Sequence, residues 1–423
     1  MPIISKISEE QPPGAEEPGL RGNRDFRVVL AGQATSALGD AISLTAMPLL
    51  VLFLTGSGAL MGIVGALQLL PDLVLGLMAG ALADRWDRRR MMALADAGRA
   101  VLTAAIPVSF WLGLPAMAVI LVVALPINAL RVLSDAAFTS SVPALVGREQ
   151  LGRANSYLEA TLSVPFIVGP AVAGVLVSTI GPAATIAIDA ASFAVSALSL
   201  TLVRRTLRAD RVGTAPRILA DIGEGIRFVW RRRVLRMVIG YWSLIAIATT
   251  ALIPALGYYL TVDRQLGPQL FGFVGSAWSV GYLLGSLGAG RLGDRRVGLR
   301  MLLAGAAIGV MLVVIAVSPM PAVHLAAGFA VGAALAVLLV SYMTLRASIT
   351  PDELLGRVGS TARTISVGLQ PLGMLAGGAV IEAADGGAAL TAMGVLAIAV
   401  SLVFAVSRTF RNATAGPHPL TAQ

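Results

Sequence analysis

The sequence predicts an all-α polytopic membrane protein, with twelve transmembrane helices in two pseudo-symmetric six-helix bundles. Three observations predict it. Of 423 residues, 56% are apolar and only 13% charged, against roughly 25% charged in a water-soluble domain. The apolar residues gather into twelve long runs, and motifs after the second run recur after the eighth. An ordinary soluble enzyme is excluded on composition alone.

A helix needs about 20 residues to cross the hydrocarbon core, because each residue adds about 1.5 Å. That length places spans at roughly 28–53, 59–82, 92–112, 116–137, 155–178, 182–203, 237–260, 270–290, 301–318, 322–344, 360–381 and 387–407. Residues 1–24, with Pro12-Pro13-Gly14 and four glutamates, read as a disordered cytoplasmic tail. They are not a signal peptide, because Arg21, Arg24 and Arg27 precede a full-length span. The expected units are then a bundle over 25–203, a basic linker over 204–236, a second bundle over 237–407 and a tail over 408–423. Within the linker, Ile218, Ile222, Ile226 and Val229 recur at helical spacing. They predict an amphipathic helix that lies on the membrane surface or straps the bundles together.

The net charge of +9 comes from 31 arginines and one lysine against 23 acids. Such a balance in a soluble protein would point to nucleic acid, but here the arginines alternate with the spans. One set of loops holds Arg85, Arg88, Arg89 and Arg90, then ten arginines from Arg204 to Arg236, then Arg291, Arg295, Arg296 and Arg300. The opposite set has Arg264 alone. Positive-inside bias with an even number of spans puts both termini in the cytoplasm, and the chain in a bacterial inner membrane. No cysteine is present, and His324 and His418 are far apart, so the sequence offers no thiolate or zinc motif. No cofactor is expected.

The two halves repeat each other. Gly80-Ala-Leu-Ala-Asp84-Arg85-Trp-Asp87-Arg88 follows span 2, and Gly290-Arg-Leu-Gly-Asp294-Arg295 follows span 8, at an offset of 210. Gly62 and Gly65 match Gly272 and Gly275 at the same offset, while Gly152-Arg153 matches Gly356-Arg357 at 204. Parallel six-helix repeats are the mark of a transporter whose halves rock about a central site.

The Gly80–Arg90 segment resembles the loop signature of the major facilitator superfamily, with Asp87 where a second glycine is expected. Together with Val142-Pro-Ala-Leu-Val-Gly-Arg-Glu-Gln-Leu-Gly-Arg-Ala-Asn155 and Gly169-Pro170, it resembles the branch of the enterobactin exporter and macrolide efflux proteins. The resemblance covers about residues 25–405. It implies proton-driven export of small organic compounds, drug-, antibiotic- or siderophore-like, by a monomer among membrane lipids. In that fold Asp84 should meet the start of span 11, a helix end that favours a carboxylate, with Arg363 as a second partner. Asp294 should do the same against span 5. Gly80, Asp84, Arg85, Arg88, Asp294, Arg295 and Arg363 are therefore the expected cytoplasmic gate.

Ionisable residues at bilayer depth are costly and usually face a bundle interior or a water-filled path. Nearly all lie in the first half: Asp40, Asp72, Asp96, Arg99, Arg131, Asp135, Glu159 and Asp189. Asp96 and Arg99 share a helix face at i,i+3 and read as a structural pair. Asp40 is the first candidate for proton coupling and Asp135 the second, with Asp72, Arg131 and Glu159 behind them. Resemblance to drug–proton antiporters adds to the case for Arg131. Asp189 reads as a helix-packing polar group. The fold implied by the resemblance puts a cavity at mid-depth, for which Gln33, Asn128, Trp242, Trp278, Tyr282, Tyr342 and Gln370 are candidate lining residues. That mix suits an amphipathic molecule better than a sugar. A Walker motif is absent and no nucleophile–base set stands out, so neither an ATPase of that class nor an enzyme is expected. A lipid flippase or a metabolite importer of the same fold are the alternatives.

Overall fold

The computed structural model describes residues 20, 22–83, 85–147, 149–204, 207 and 218–415. Most of the first expected tail, half of the second, the first part of the linker and Asp84 lie outside them. The first half consists of α1 (Arg24–Thr55), α2 (Gly58–Ala83), α3 (Arg88–Trp111), α4 (Ala116–Val146), α5 (Leu151–Ile180) and α6 (Pro182–Thr201). The linker supplies α7 (Ile218–Arg231). Span 7 is built from α8 (Arg233–Thr249), α9 (Leu252–Tyr258) and a π turn over Tyr259–Asp263. Then come α10 (Gly267–Ala289), α11 (Val297–Val317) and α12 (Pro321–Ile349). Span 11 divides into α13 (Leu355–Gly368) and α14 (Gln370–Ala383), and α15 (Gly386–Ala405) is the last span. Among the described residues, 12 helical segments are long and apolar enough to cross a membrane.

Local chemistry sets the helix ends. The Asn23 side chain accepts from the Phe26 amide at 3.0 Å, and Asp385 accepts from the Ala388 amide at 2.6 Å, each satisfying a donor that a helix start leaves open. Asp87 does the same for α3, accepting from the Arg90 amide at 3.2 Å. The residue that departs from the family's loop pattern is thus a helix cap. Pro182 and Pro321 open α6 and α12, where a missing N–H costs nothing.

Spans 7 and 11 differ from the unbroken helices the apolar runs suggested. Pro254 and Pro371 each lack the N–H that would bond four residues back, to Thr250 and Val367. The helix parts at those places. Neighbouring helices tolerate such a break where it lines a cavity rather than lipid.

Within the first half α1 packs on α6, α3 on α4 and α6, and α2 on α4. In the second, α10 packs on α12, and α11 on α12 and α15. The halves meet chiefly through α5 against α10 and α2 against α14. Leu94, Val122, Leu198, Leu303 and Val403 point outward and are exposed, an apolar belt that water would not tolerate but lipid does. The linker helix α7 docks on α13, with Glu224 Oε2 2.5 Å from Arg357 Nη1. Both side chains remain open to solvent, at 40% and 52% exposed, so the pair itself adds at most about 1 kcal/mol. On the same helix Val229 is buried while Ile226 and Trp230 are exposed. The side chains of Ile218 and Ile222 lie outside the described residues.

Candidate functional site

A cavity of about 530 Å³ lies between the halves, within the range of pockets that hold drug-sized molecules. Gln33, Ser36, Asp40 and Ser43 line it from α1 at i, i+3, i+7 and i+10, one polar stripe down a single helix face. Arg99 and Thr103 enter from α3, Asn128, Arg131 and Asp135 from α4, and Asp189 from α6. The second half contributes Thr250 and Ile253 beside the break in span 7, and Gln370 and Met374 beside the break in span 11. Every charged group on the wall belongs to the first half.

The charges form two clusters. Arg99 is only 3% exposed, and its Nη2 lies 2.5 Å from Asp40 Oδ1. Its Nη1 is 4.0 Å from Asp96 Oδ1, and its guanidinium stands 3.8 Å above the Phe193 ring centroid. Asp96 is held instead by hydroxyls, accepting from Ser134 at 3.0 Å and Ser196 at 2.7 Å. The expected Asp96–Arg99 pair is therefore secondary, and Arg99 chiefly serves Asp40. In the other cluster Arg131 donates to Asp72 at 2.5 Å and to Asp135 at 3.2 Å, with its Nε on Asn128 at 3.3 Å. Asp72 also lies 3.9 Å from Arg363, which reaches it from the second half.

Asp189 stands apart. It is 3% exposed and accepts from Ser43 on α1 and, at 3.3 Å, from Ser192. A Cβ at Gly39 would run into Asp189 and Ser192, so glycine there lets α1 and α6 close on the carboxylate. Asp189, expected as a helix-packing group, lines the cavity, and Ser36, Ser43 and Thr103 join it although the sequence does not single them out. The heptad-like spacing of polar residues in span 1 was the signal available for the serines.

Of the expected lining residues, Gln33, Asn128 and Gln370 reach the cavity. Trp242, Trp278, Tyr282 and Tyr342 do not. Trp242 stacks on buried Tyr342 with ring centroids 5.0 Å apart, and Arg346 donates to the Tyr342 hydroxyl at 3.3 Å. Trp278 and Tyr282 do share a surface, at 6.4 Å, but Trp278 lines a separate, smaller apolar pocket with Leu44 and Thr45 of α1 and Pro170 of α5. Trp242 and Tyr342 pack within the second half rather than on the cavity wall.

The far face, away from both termini, is closed by glycine. A Cβ at Gly62 would sit 2.9 Å from Gly378 Cα, and one at Gly272 would sit 3.0 Å from Gly174 Cα. The two contacts are symmetry mates, because Gly62 and Gly272 are related by the repeat offset of 210 and Gly174 and Gly378 by that of 204. Their neighbours repeat as well: Gly65 abuts Met374 and Gly275 abuts Pro170, the equivalent of Met374 at the offset of 204. Above them Glu382 accepts from Ser57 Oγ at 2.8 Å and from the Ala59 amide at 3.2 Å, fastening the halves at the first turn of α2.

Toward the face carrying the termini Arg363 spans the gap between the halves to Asp72, and beyond that contact the halves stand apart. Glu159 and Arg363, which the repeat at an offset of 204 makes equivalent, are both exposed. Arg85, Asp294 and Arg295 are exposed too, and the space around Gly80 is open. The structure does not bring these expected gate residues together, and Asp84 lies outside the described residues. Arg88 instead donates to the Ala83 carbonyl at 3.2 Å, and Arg89 to Leu200 at 2.8 Å, binding the loop to its own half.

Residues 20–417 match the family described as transmembrane secretion effector. The multidrug efflux pump Tap of Mycolicibacterium fortuitum is 32% identical over 378 residues, spanning 84% of this chain and 89% of that protein. Macrolide efflux protein A of Streptococcus pyogenes is 31% identical over 301 residues, spanning 68% of this chain and 70% of its own length. A bacterial homologue of the iron transporter ferroportin shares the fold at a TM-score of 0.74 and 16% identity, over 90% of this chain and 98% of that one. With twelve spans in two repeated halves around a cavity of drug size, the chain is a secondary transporter of small organic compounds, and it belongs to the transmembrane secretion effector family of the major facilitator superfamily.

Proposed function

We propose that this transporter exports amphipathic organic cations from a bacterial cytoplasm in exchange for protons. The observation that carries the reading is the one-sided wall of the cavity. On that wall Asp40, Asp135 and Asp189 stand with two guanidiniums, Arg99 and Arg131, while the facing half offers Ile253, Met374 and uncharged polar groups. An excess of acids at low dielectric favours a cation, and the apolar wall favours its hydrophobic body. Anionic siderophores fit that balance poorly. Efflux by the relatives Tap and macrolide efflux protein A supports the direction.

Positive-inside bias makes the arginine-rich face of the termini cytoplasmic, so the cavity is open to the cytoplasm and sealed outside. This is the loading state of an exporter. In the opposite state Asp84 and Asp294, with Arg363 nearby, would clasp the cytoplasmic ends. A substrate cation settling at Asp40, whose side chain is 34% exposed to the cavity, competes with Arg99 for the carboxylate. Asp135, which shares Arg131 with Asp72, faces the same space and stabilises the arriving charge.

Ethidium is a suitable probe because its fixed charge prevents passive trapping as a weak base. Proteoliposomes with an acidic lumen are expected to accumulate ethidium until an uncoupler collapses the gradient. One pH unit supplies about 1.4 kcal/mol per proton, so one-for-one exchange sustains roughly a tenfold concentration ratio. Asp40→Asn is expected to abolish that accumulation. Ethidium movement indifferent to the gradient would instead mean facilitated passage or lipid flipping.

A further inference from the structure

Asp189 is the one cavity acid with no arginine within 4.0 Å among the described residues, and its partners are the hydroxyls of Ser43 and Ser192. Arg99 lies close by in a poised position. Its guanidinium covers Phe193, one turn along α6 from Asp189, and its buried Nε has no partner. The ring that the guanidinium covers and the carboxylate therefore belong to adjacent turns of one helix.

We infer that Asp189 carries the exchanged proton, and that Arg99 links it to the substrate by moving from Asp40 to Asp189. This rests on the proton-driven export reading above and assigns the proton within it. Before loading, Arg99 neutralises Asp40 and Asp189 is a neutral carboxyl. The substrate cation takes Asp40, Arg99 turns to Asp189, and the O–H bond of Asp189 breaks. The proton leaves to cavity water on the cytoplasmic side. Outside, the substrate departs, Arg99 returns to Asp40, and a proton from the medium re-forms the O–H bond. One cation is exchanged for one proton, and the charge within the site is the same at both ends.

The groups facing Asp189 fit this assignment. From α1 it faces Asp40 and Ser43, and from α3 Arg99, while Asp96 on α3 is held by Ser134 and Ser196. The charged residues of α5, Arg153 and Glu159, are exposed in its half nearer the termini. Asp40 accepts the cation, and Asp189 is the only carboxyl in the Arg99 cluster that neither a guanidinium nor two other helices already engage.

The test is proton release on ethidium binding, read in weakly buffered solution with the purified protein. Wild type is expected to release about one proton per ethidium bound, and to bind more tightly as pH rises. Asp189→Asn, whose amide oxygen still accepts from Ser43, is expected to release none. It should bind ethidium independently of pH and fail to accumulate it against a gradient, and thermal unfolding of the purified variant reports that it is folded. Asp189→Glu keeps a titrating carboxyl and is expected to restore release. Proton release or gradient-driven accumulation persisting in Asp189→Asn overturns the assignment alone. Absence of gradient-driven accumulation in wild type overturns the export reading with it.

Discussion

Arg99→Ala is expected to be the most damaging single substitution in the chain. The guanidinium is buried against Phe193 and neutralises Asp40 at 2.5 Å, with Asp96 4.0 Å away. Its removal leaves acidic groups at bilayer depth without a cation, and breaking a buried pair in that way costs about 3–5 kcal/mol. Thermal unfolding of the purified protein should show a large loss of stability, and transport should vanish. Asp40→Asn placed on top of Arg99→Ala is expected to recover part of the stability, because it removes the charge that was stranded. A double variant no more stable than the single one would show that Asp40 is not the partner that matters.

Gly378→Leu is expected to disable the transporter by a different route, leaving the charged wall intact. A Cβ at Gly378 would already sit 2.8 Å from Gly62 Cα and from the Gly58 carbonyl, both backbone, so neither can turn aside. The leucine would hold the far face open and stop the cycle. Gly272→Leu should do the same at the symmetry-related contact, where the Pro170 carbonyl lies in the way. The chain has no cysteine, so a single reporter can be placed without background. A cysteine in place of Thr250, on the cavity wall, should react slowly with an impermeant maleimide supplied from outside. Adding Gly378→Leu is expected to raise that rate at least about tenfold, the mark of a shift of roughly 1.4 kcal/mol toward the outward-open state. An unchanged rate would mean that the glycine pair is not what closes the far face.

Those glycines show how far the sequence could be read. Gly62, Gly65, Gly272 and Gly275 were visible as a repeat at an offset of 210, which established duplication. Their work as closing contacts depends on partners in α5 and α14, and no local pattern says which helices touch. The spans were legible because bilayer thickness imposes a length on every one of them. The breaks at Thr250 and Leu369 were not, because membrane helices accept prolines both with and without a break.

The charged residues divide in the same way. Their depth and rarity singled out Asp40, Asp72, Arg99 and Arg131 individually. Spacing within one helix then favoured Asp96 with Arg99, whereas packing of α1 on the α3–α6 layer gives Arg99 to Asp40. Asp189 looked ordinary because its partner Ser43 is 146 residues away, on another helix. Of the four aromatic residues expected on the cavity lining, Trp242 and Tyr342 stack on each other within the second half, and Trp278 lines a smaller apolar pocket between the halves, contacts that no local pattern specifies.

The central claim is that substrate and proton move in obligatory exchange, and the most direct measurement runs that exchange backwards. Proteoliposomes with equal pH on both sides and a pH-sensitive dye in the lumen would be given ethidium outside. Inward movement of ethidium is expected to drive protons out and make the lumen alkaline in the wild type, and to leave it unchanged with Asp189→Asn. Ethidium entering the wild-type vesicles with no change in lumenal pH would contradict the account.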